Sequence, residues 1–176
     1  NQYLSLIYQS DQAFEYLIDY FSQVEEPTMI LLFGDHQPQV ATNFYTEVMG
    51  GEFEDLPAQV QQTKQEVPFL IWANYDIPEA SGIQLSLNYL SSLLLKAAGL
   101  PRTGYQHFLE ELHAAVPVVN AVGFQDGEGE WYKDREDMPQ AAQEALTAYE
   151  MLQYAQLFGK EGEELEDFFY LSQQAR

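Results

Sequence analysis

Amphipathic helical segments alternate with short, wholly apolar ones, which predicts an α/β fold built on a mostly parallel sheet. Three observations carry that reading. Apolar residues recur at helical spacing from Tyr3 to Val24. Mostly apolar runs without polar alternation occupy 28–33 and 67–73. A Leu- and Ala-rich helical stretch at 85–98 follows the second run. The 176 residues fit about one domain by the usual range of roughly 100–200 residues. A 46% hydrophobic fraction with 14% aromatics suffices for a real core and excludes wholesale disorder.

In the first helix Leu4, Ile7, Phe14, Ile18 and Phe21 share one face. Asp11 falls on that face between Ile7 and Phe14. Burying a lone carboxylate is costly, so Asp11 must be paired, capped or placed at an edge. It reads as a structural hydrogen-bond acceptor or as a site residue. Glu25-Glu26-Pro27 stops the helix, and Thr28–Phe33 reads as a strand covered on both faces. Gly34-Asp35-His36-Gln37-Pro38 ends that strand abruptly. Residues 39–66 are polar and irregular, a long loop or a few short helices.

Val67–Ala73 is the second apolar strand, and Gly99 with Pro101 marks the end of the helix at 85–98. Tyr105–Ala115 reads as a further helix with Phe108, Leu109 and Leu112 inward. Pro117–Val122 reads as a third strand. Asp126-Gly127 with Gly129 signals a hairpin whose return strand carries Trp131-Tyr132. Gln140–Phe158 is a final long helix, and an acidic stretch runs from Glu161 to Asp167, read as a solvated helix end.

Charge narrows the function classes. Lys+Arg is 7 against Asp+Glu 28, a formal net charge of −21. Nucleic acid and anionic membrane surfaces both need cationic side chains to displace counterions, so nucleic-acid binding is not expected. The chain has no Cys, which removes disulfides, thiolate metal sites and Cys nucleophiles. No apolar run reaches the roughly 18 residues of a membrane span. Asn1 opens directly into amphipathic sequence, which reads as an internal piece of something longer.

Ligands in open α/β sheets gather at the carboxyl ends of strands, where Gly34-Asp35-His36 sits. Asp offers a hard oxygen and His a borderline nitrogen, a pairing suited to Zn²⁺, Mn²⁺ or a related ion. Neighbouring residues reach one ion only where the backbone turns. By itself the tripeptide reads first as a loop turn, and as a metal pair only if further ligands converge. His107 and His113 are six apart on a helix and share no face, so they read as surface or packing residues. The sequence has no Gly-x-Ser-x-Gly elbow, phosphate-binding Gly loop or His-Glu-x-x-His.

The ordered set of a helix with Ser10-Asp11, then Phe33-Gly34-Asp35-His36-Gln37-Pro38, Val67–Tyr75, Asn88-Tyr89-Leu90-Ser91 and Leu93–Pro101 resembles a known family. It is similar to the C-terminal part of the sulfatase-like domain of lipoteichoic acid synthases and related phosphoglycerol transferases, in the alkaline-phosphatase superfamily. The resemblance covers most of 3–120. It implies that residues 1–176 are one portion of an α/β/α sandwich on the extracellular face of the membrane, tethered by transmembrane helices. It implies a divalent ion, Mn²⁺ or Mg²⁺, with Asp35 and His36 as metal ligands. It also implies a Thr nucleophile that takes glycerophosphate from phosphatidylglycerol.

That nucleophile, a further acidic ligand and most head-group contacts belong to the family's N-terminal half. No catalytic residue is therefore assigned in this chain, and neither Thr28 nor Thr42 takes the role. The implied partners are that missing half and a phosphatidylglycerol-like lipid, with self-association of the fragment through an exposed apolar face. Gln37-Pro38 departs from the Gly that follows His in true sulfatases and phosphoethanolamine transferases, which favours the phosphoglycerol branch. A sulfate- or phosphate-ester hydrolase and a non-catalytic acidic interaction domain are the alternatives.

Overall fold

The computed structural model describes residues 2–38, 40, 42–159 and 163–171; Asn1 and, in the acidic stretch, Glu161 lie outside them. The chain divides into two compact units, Asn1–Phe33 with Phe69–Glu79, and Gly34–Pro68 with Ala80–Arg176.

In the first unit the helix α1 (Gln2–Phe21) precedes strand β1 (Met29–Phe33), which pairs with β2 (Phe69–Ala73). The pairing is antiparallel, with Met29 opposite Ala73 and Phe33 opposite Phe69, and this corrects the expected parallel sheet. An apolar run reports burial and not strand direction. A parallel partner would require the connection to travel back along the whole sheet. Here residues 34–68 leave and return at the same end. Coverage also differs from expectation, since Leu32, Phe33 and Leu70 are about half exposed.

Asn74 holds this unit together. Its Nδ2 lies 2.9 Å from the Val24 carbonyl, 3.0 Å from that of Glu26 and 3.2 Å from that of Phe21. Its Oδ1 accepts from the Thr28 N–H at 2.8 Å. The last carbonyls of a helix have no intrahelical donors, and this single amide supplies one to them. Asp11 is exposed on α1, as are Leu4 and Ile7 of the apolar stripe.

The second unit contains the core. Residues 34–68 carry α2 (Thr42–Met49) and α3 (Ala58–Gln62), the short helices that had been one of two readings for this stretch. Ser86 donates to the Val119 carbonyl and accepts from the Val119 N–H, and its own N–H reaches Pro117. That bond set keeps Ser86 extended, so α4 (Leu90–Ala97) begins only after a 3₁₀ turn at Leu87–Tyr89, later than the sequence suggests. Gly99, at φ +67°, closes α4 in the left-handed conformation.

Helix α5 (Gly104–Ala115) opens with a reciprocal capping box between Thr103 and Gln106. The third strand is short, β3 (Val118–Val119), because Asn120 turns the chain by accepting from the N–H groups of Val122 and Gly123. It pairs with β4 (Phe124–Gln125), which pairs with β5 (Trp131–Tyr132), an antiparallel meander containing the expected hairpin. Helix α6 (Gln140–Phe158) follows. The acidic stretch forms α7 (Glu163–Phe169), whose Phe168 and Phe169 meet Tyr105.

Leu109, Leu112, Val116, Tyr89, Met138, Ala142 and Leu146 form the buried cluster. The Tyr89 hydroxyl donates to the Val116 carbonyl at 2.8 Å, so the one polar tip in this core is paired. Asp126 is buried in the hairpin. Burial alone would raise its pKa, but donors from the Glu130 N–H, the Tyr132 hydroxyl and the Glu128 N–H outweigh this and hold it below the ordinary carboxylate range. Lys96 and then Arg102, both hydrogen-bonded to Glu110, pull its carboxyl from 4.5 down to about 2.

Leu112→Ala should cost about 2–5 kcal/mol, read by urea unfolding, because both side-chain contacts and close packing are lost. The two depressed carboxylates bind fewer protons folded than unfolded. Their stabilisation is therefore complete above about pH 5 and falls away as the pH drops through the folded values, near 2 for Glu110. Asp126→Asn combined with Glu110→Gln should flatten the melting temperature between roughly pH 5 and pH 2 relative to the parent chain. An unchanged acid slope would show that other groups govern it.

Candidate metal centre

The site begins with a glycine that has no room to be anything else. The Gly34 N–H donates to the Pro68 carbonyl at 3.0 Å. A methyl group at Gly34 would stand 2.9 Å from Val67 Cβ and 3.2 Å from its Cγ1. Those approaches are closer than carbon atoms tolerate, so the chain lies against Val67-Pro68 only with hydrogen there.

Beyond Gly34 the backbone bends. Asp35 Oδ1 accepts from the His36 N–H at 2.9 Å, which fixes the carboxylate beside the imidazole. Asp35 Oδ2 then faces His36 Nε2 at 3.4 Å, although the residues are adjacent. Both side chains are open to solvent, Asp35 at 82% and His36 at 76%. The other ring nitrogen, Nδ1, lies 2.9 Å from the Gln37 carbonyl oxygen. The Gln37 side-chain amide donates to the Glu66 carbonyl, a second tie between this turn and the segment entering β2.

A carbonyl oxygen only accepts, so Nδ1 must carry the hydrogen of that contact. A neutral His36 then turns the bare Nε2 lone pair toward a carboxylate oxygen. Two acceptors at this separation repel unless a cation, either a proton or a metal ion, lies between them. Asp35 and His36 would offer one oxygen and one nitrogen donor to a divalent ion. The Nδ1–H to backbone carbonyl bond is the usual outer partner of a metal-bound His. The chemistry of the pair is compatible with part of a divalent site. Among the described residues no group of three or more His, Asp or Glu converges on one point.

The remaining titratable candidates lie elsewhere. His107 is exposed on α5. His113 packs edge-on against Tyr89, with ring centroids 5.3 Å apart, and its Nε2 donates to the Gln84 carbonyl at 3.2 Å. Thr28 Oγ1 is bonded to the Glu26 carbonyl in the turn before β1. A groove of about 300 Å³ between α4 and α5 is lined by Leu85, Leu93 and Leu109 among others. Its polar groups are already engaged, Ser92 with the Gln106 carbonyl and Lys96 with Glu110. It offers little free chemistry. Sequence reasoning missed the bracing by Gln37, Glu66 and Pro68. The only available signal was the proline at 38, which restricts the residue before it to extended backbone.

Among the described residues no helix is long and apolar enough to cross a membrane. A putative cyclic beta-1,2-glucan modification protein of Rhizobium meliloti (strain 1021) is 26% identical over 162 residues. The match covers 90% of this chain and 25% of that protein, so the chain spans about a quarter of its relative's length. No solved structure gives a significant match. The sulfatase family model matches residues 1–100, which takes in α1, both strands of the first unit and the Asp35–His36 turn. The chain therefore belongs to the sulfatase family, within the alkaline-phosphatase superfamily.

Proposed function

We propose that this chain is the Asp-His metal-holding portion of a membrane-tethered phosphoglycerol transferase acting on the extracellular face. The observation that carries the reading is the facing of Asp35 Oδ2 and His36 Nε2 at 3.4 Å, with Nδ1 already satisfied by a backbone carbonyl. Asp35 and His36 would hold Mn²⁺ or Mg²⁺, an oxygen and a nitrogen donor suited to such an ion. When bound, the ion eases deprotonation of a hydroxyl nucleophile and neutralises charge on the transferred phosphoryl oxygens. Asp35 contributes a carboxylate oxygen, and His36 a ring nitrogen whose orientation the Gln37 carbonyl sets. Their exposure leaves one side of the pair open for the remaining ligands, the Thr nucleophile and a phosphatidylglycerol head group, all from outside this chain. The exposed apolar residues of α1, Leu4 and Ile7 among them, are the surface on which the rest of the domain would pack.

The glucan named for the Rhizobium meliloti relative favours a sugar hydroxyl as the acceptor of the glycerophosphate. The net charge of −21 opposes an anionic lipid at long range, so attraction to the head group has to be local to the metal.

In the whole protein, Asp35→Ala and His36→Ala should each lower turnover of phosphatidylglycerol at least about 100-fold while the melting temperature stays within a few degrees. Parallel assays with aryl sulfates and phosphate monoesters separate transferase from hydrolase. Release of free sulfate or phosphate at a higher rate than glycerophosphate transfer makes the hydrolase the correct reading. Undiminished activity in both variants removes the metal role from Asp35 and His36, and no divalent-ion binding or turnover by the whole protein leaves an acidic interaction domain.

A further inference from the structure

We infer that Gln37 is a positioning residue that holds His36 in the Nδ1–H tautomer and so presents the Nε2 lone pair toward Asp35. The consequence for metal affinity rests on the function proposed above; the tautomer itself does not.

The argument runs through the backbone of one residue. His36 Nδ1 donates to the Gln37 carbonyl at 2.9 Å, a bond between neighbours that needs that carbonyl turned back toward the ring. Free imidazole side chains in water favour the Nε2–H form, so the protein has to supply the opposite preference. Which ring nitrogen carries the hydrogen is set by the bond the other partner offers. Three features point the Gln37 carbonyl. Pro38 confines Gln37 to extended backbone. The Gln37 side-chain amide is bonded to the Glu66 carbonyl. On the other side of the turn, the Gly34 N–H is bonded to Pro68. The Asp35–His36 pair is therefore suspended between two ties to a single neighbouring segment, 66–68. Only the Gln37 tie is made by a side chain, and so only that one can be removed by a substitution that leaves the turn's backbone chemistry intact.

The other histidines serve as internal controls. His113 donates through Nε2 to the Gln84 carbonyl and is held in the opposite tautomer, and His107 is exposed.

The test labels the whole protein with ¹⁵N at histidine and reads long-range ¹⁵N–¹H couplings at about pH 8.5, above the ordinary imidazole range. His36→Gln identifies the His36 signals. The expected result is Nδ1–H at His36 and Nε2–H at His113 in the parent protein. Gln37→Ala should move His36 toward Nε2–H and leave His113 unchanged. Gln37→Glu keeps the side-chain length but lacks the donor for Glu66, and should act like Gln37→Ala even if the smaller residue perturbs folding. Titration with Mn²⁺ alone should then show affinity weakened about 10–100-fold in both variants. An Nε2–H tautomer at His36 in the parent protein overturns the inference, as does an Nδ1–H tautomer that survives both substitutions. If Mn²⁺ leaves the parent's His36 signals untouched while the tautomer responds to Gln37, the positioning role stands and the metal reading falls.

Discussion

Everything chemical in this chain depends on how closely Gly34 approaches Val67 and Pro68. A side chain at 34 would meet Val67 at 2.9 Å, so the turn after β1 lies against the entry to β2 only because the residue is glycine. That contact closes the excursion from 34 to 68. It places the turn beside residues 67–68, and within that turn the Asp35 carboxylate lies beside the His36 ring. A looser turn would let two adjacent side chains project to opposite sides, as they do along an extended chain.

The two units are stabilised by different means. The second has an apolar cluster around Leu112 and Val116, the largest fully buried side chains among the described residues, with the polar groups of Tyr89 and Asp126 paired. Tyr89 reaches a carbonyl and Asp126 gathers backbone and hydroxyl donors. Among the described residues the first unit contains none of the buried ones, and it relies on a strand pair and on Asn74, whose one amide serves carbonyls at the end of α1 and in the loop beyond. An isolated pair of strands is marginally stable in water, so this polar clasp matters more here than a comparable bond in the core.

Placement of the Asp-His pair at a solvent-facing turn suits a shared site. Under the proposed metal role, a pair with one ring nitrogen satisfied and one left bare would be preorganised and would await further ligands. Its exposure, 82% and 76%, leaves room for further ligands without any movement of the core. The surrounding acidity has the same sign as an anionic ligand, but at physiological salt it is screened beyond about 8 Å and leaves local donors to decide recognition.

Much of the chain was legible from its residues, because period and punctuation are local. The helices at 2–21, 104–115 and 140–158 follow from apolar spacing, and the hairpin at 124–132 from Asp126-Gly127 with Gly129. The turn at Gly34-Asp35-His36 was also visible as the end of an apolar run. Strand direction was not legible, because an apolar run marks a candidate strand but not which way its neighbour runs. Nor was the delayed start of α4, since that depends on Ser86 bonding to Val119 far along the chain. The residue types at the site were determined by the sequence alone. Only the tertiary structure decided their geometry, because bracing of Asp35 and His36 comes from Glu66–Pro68, a segment about thirty residues away that no local pattern connects to them.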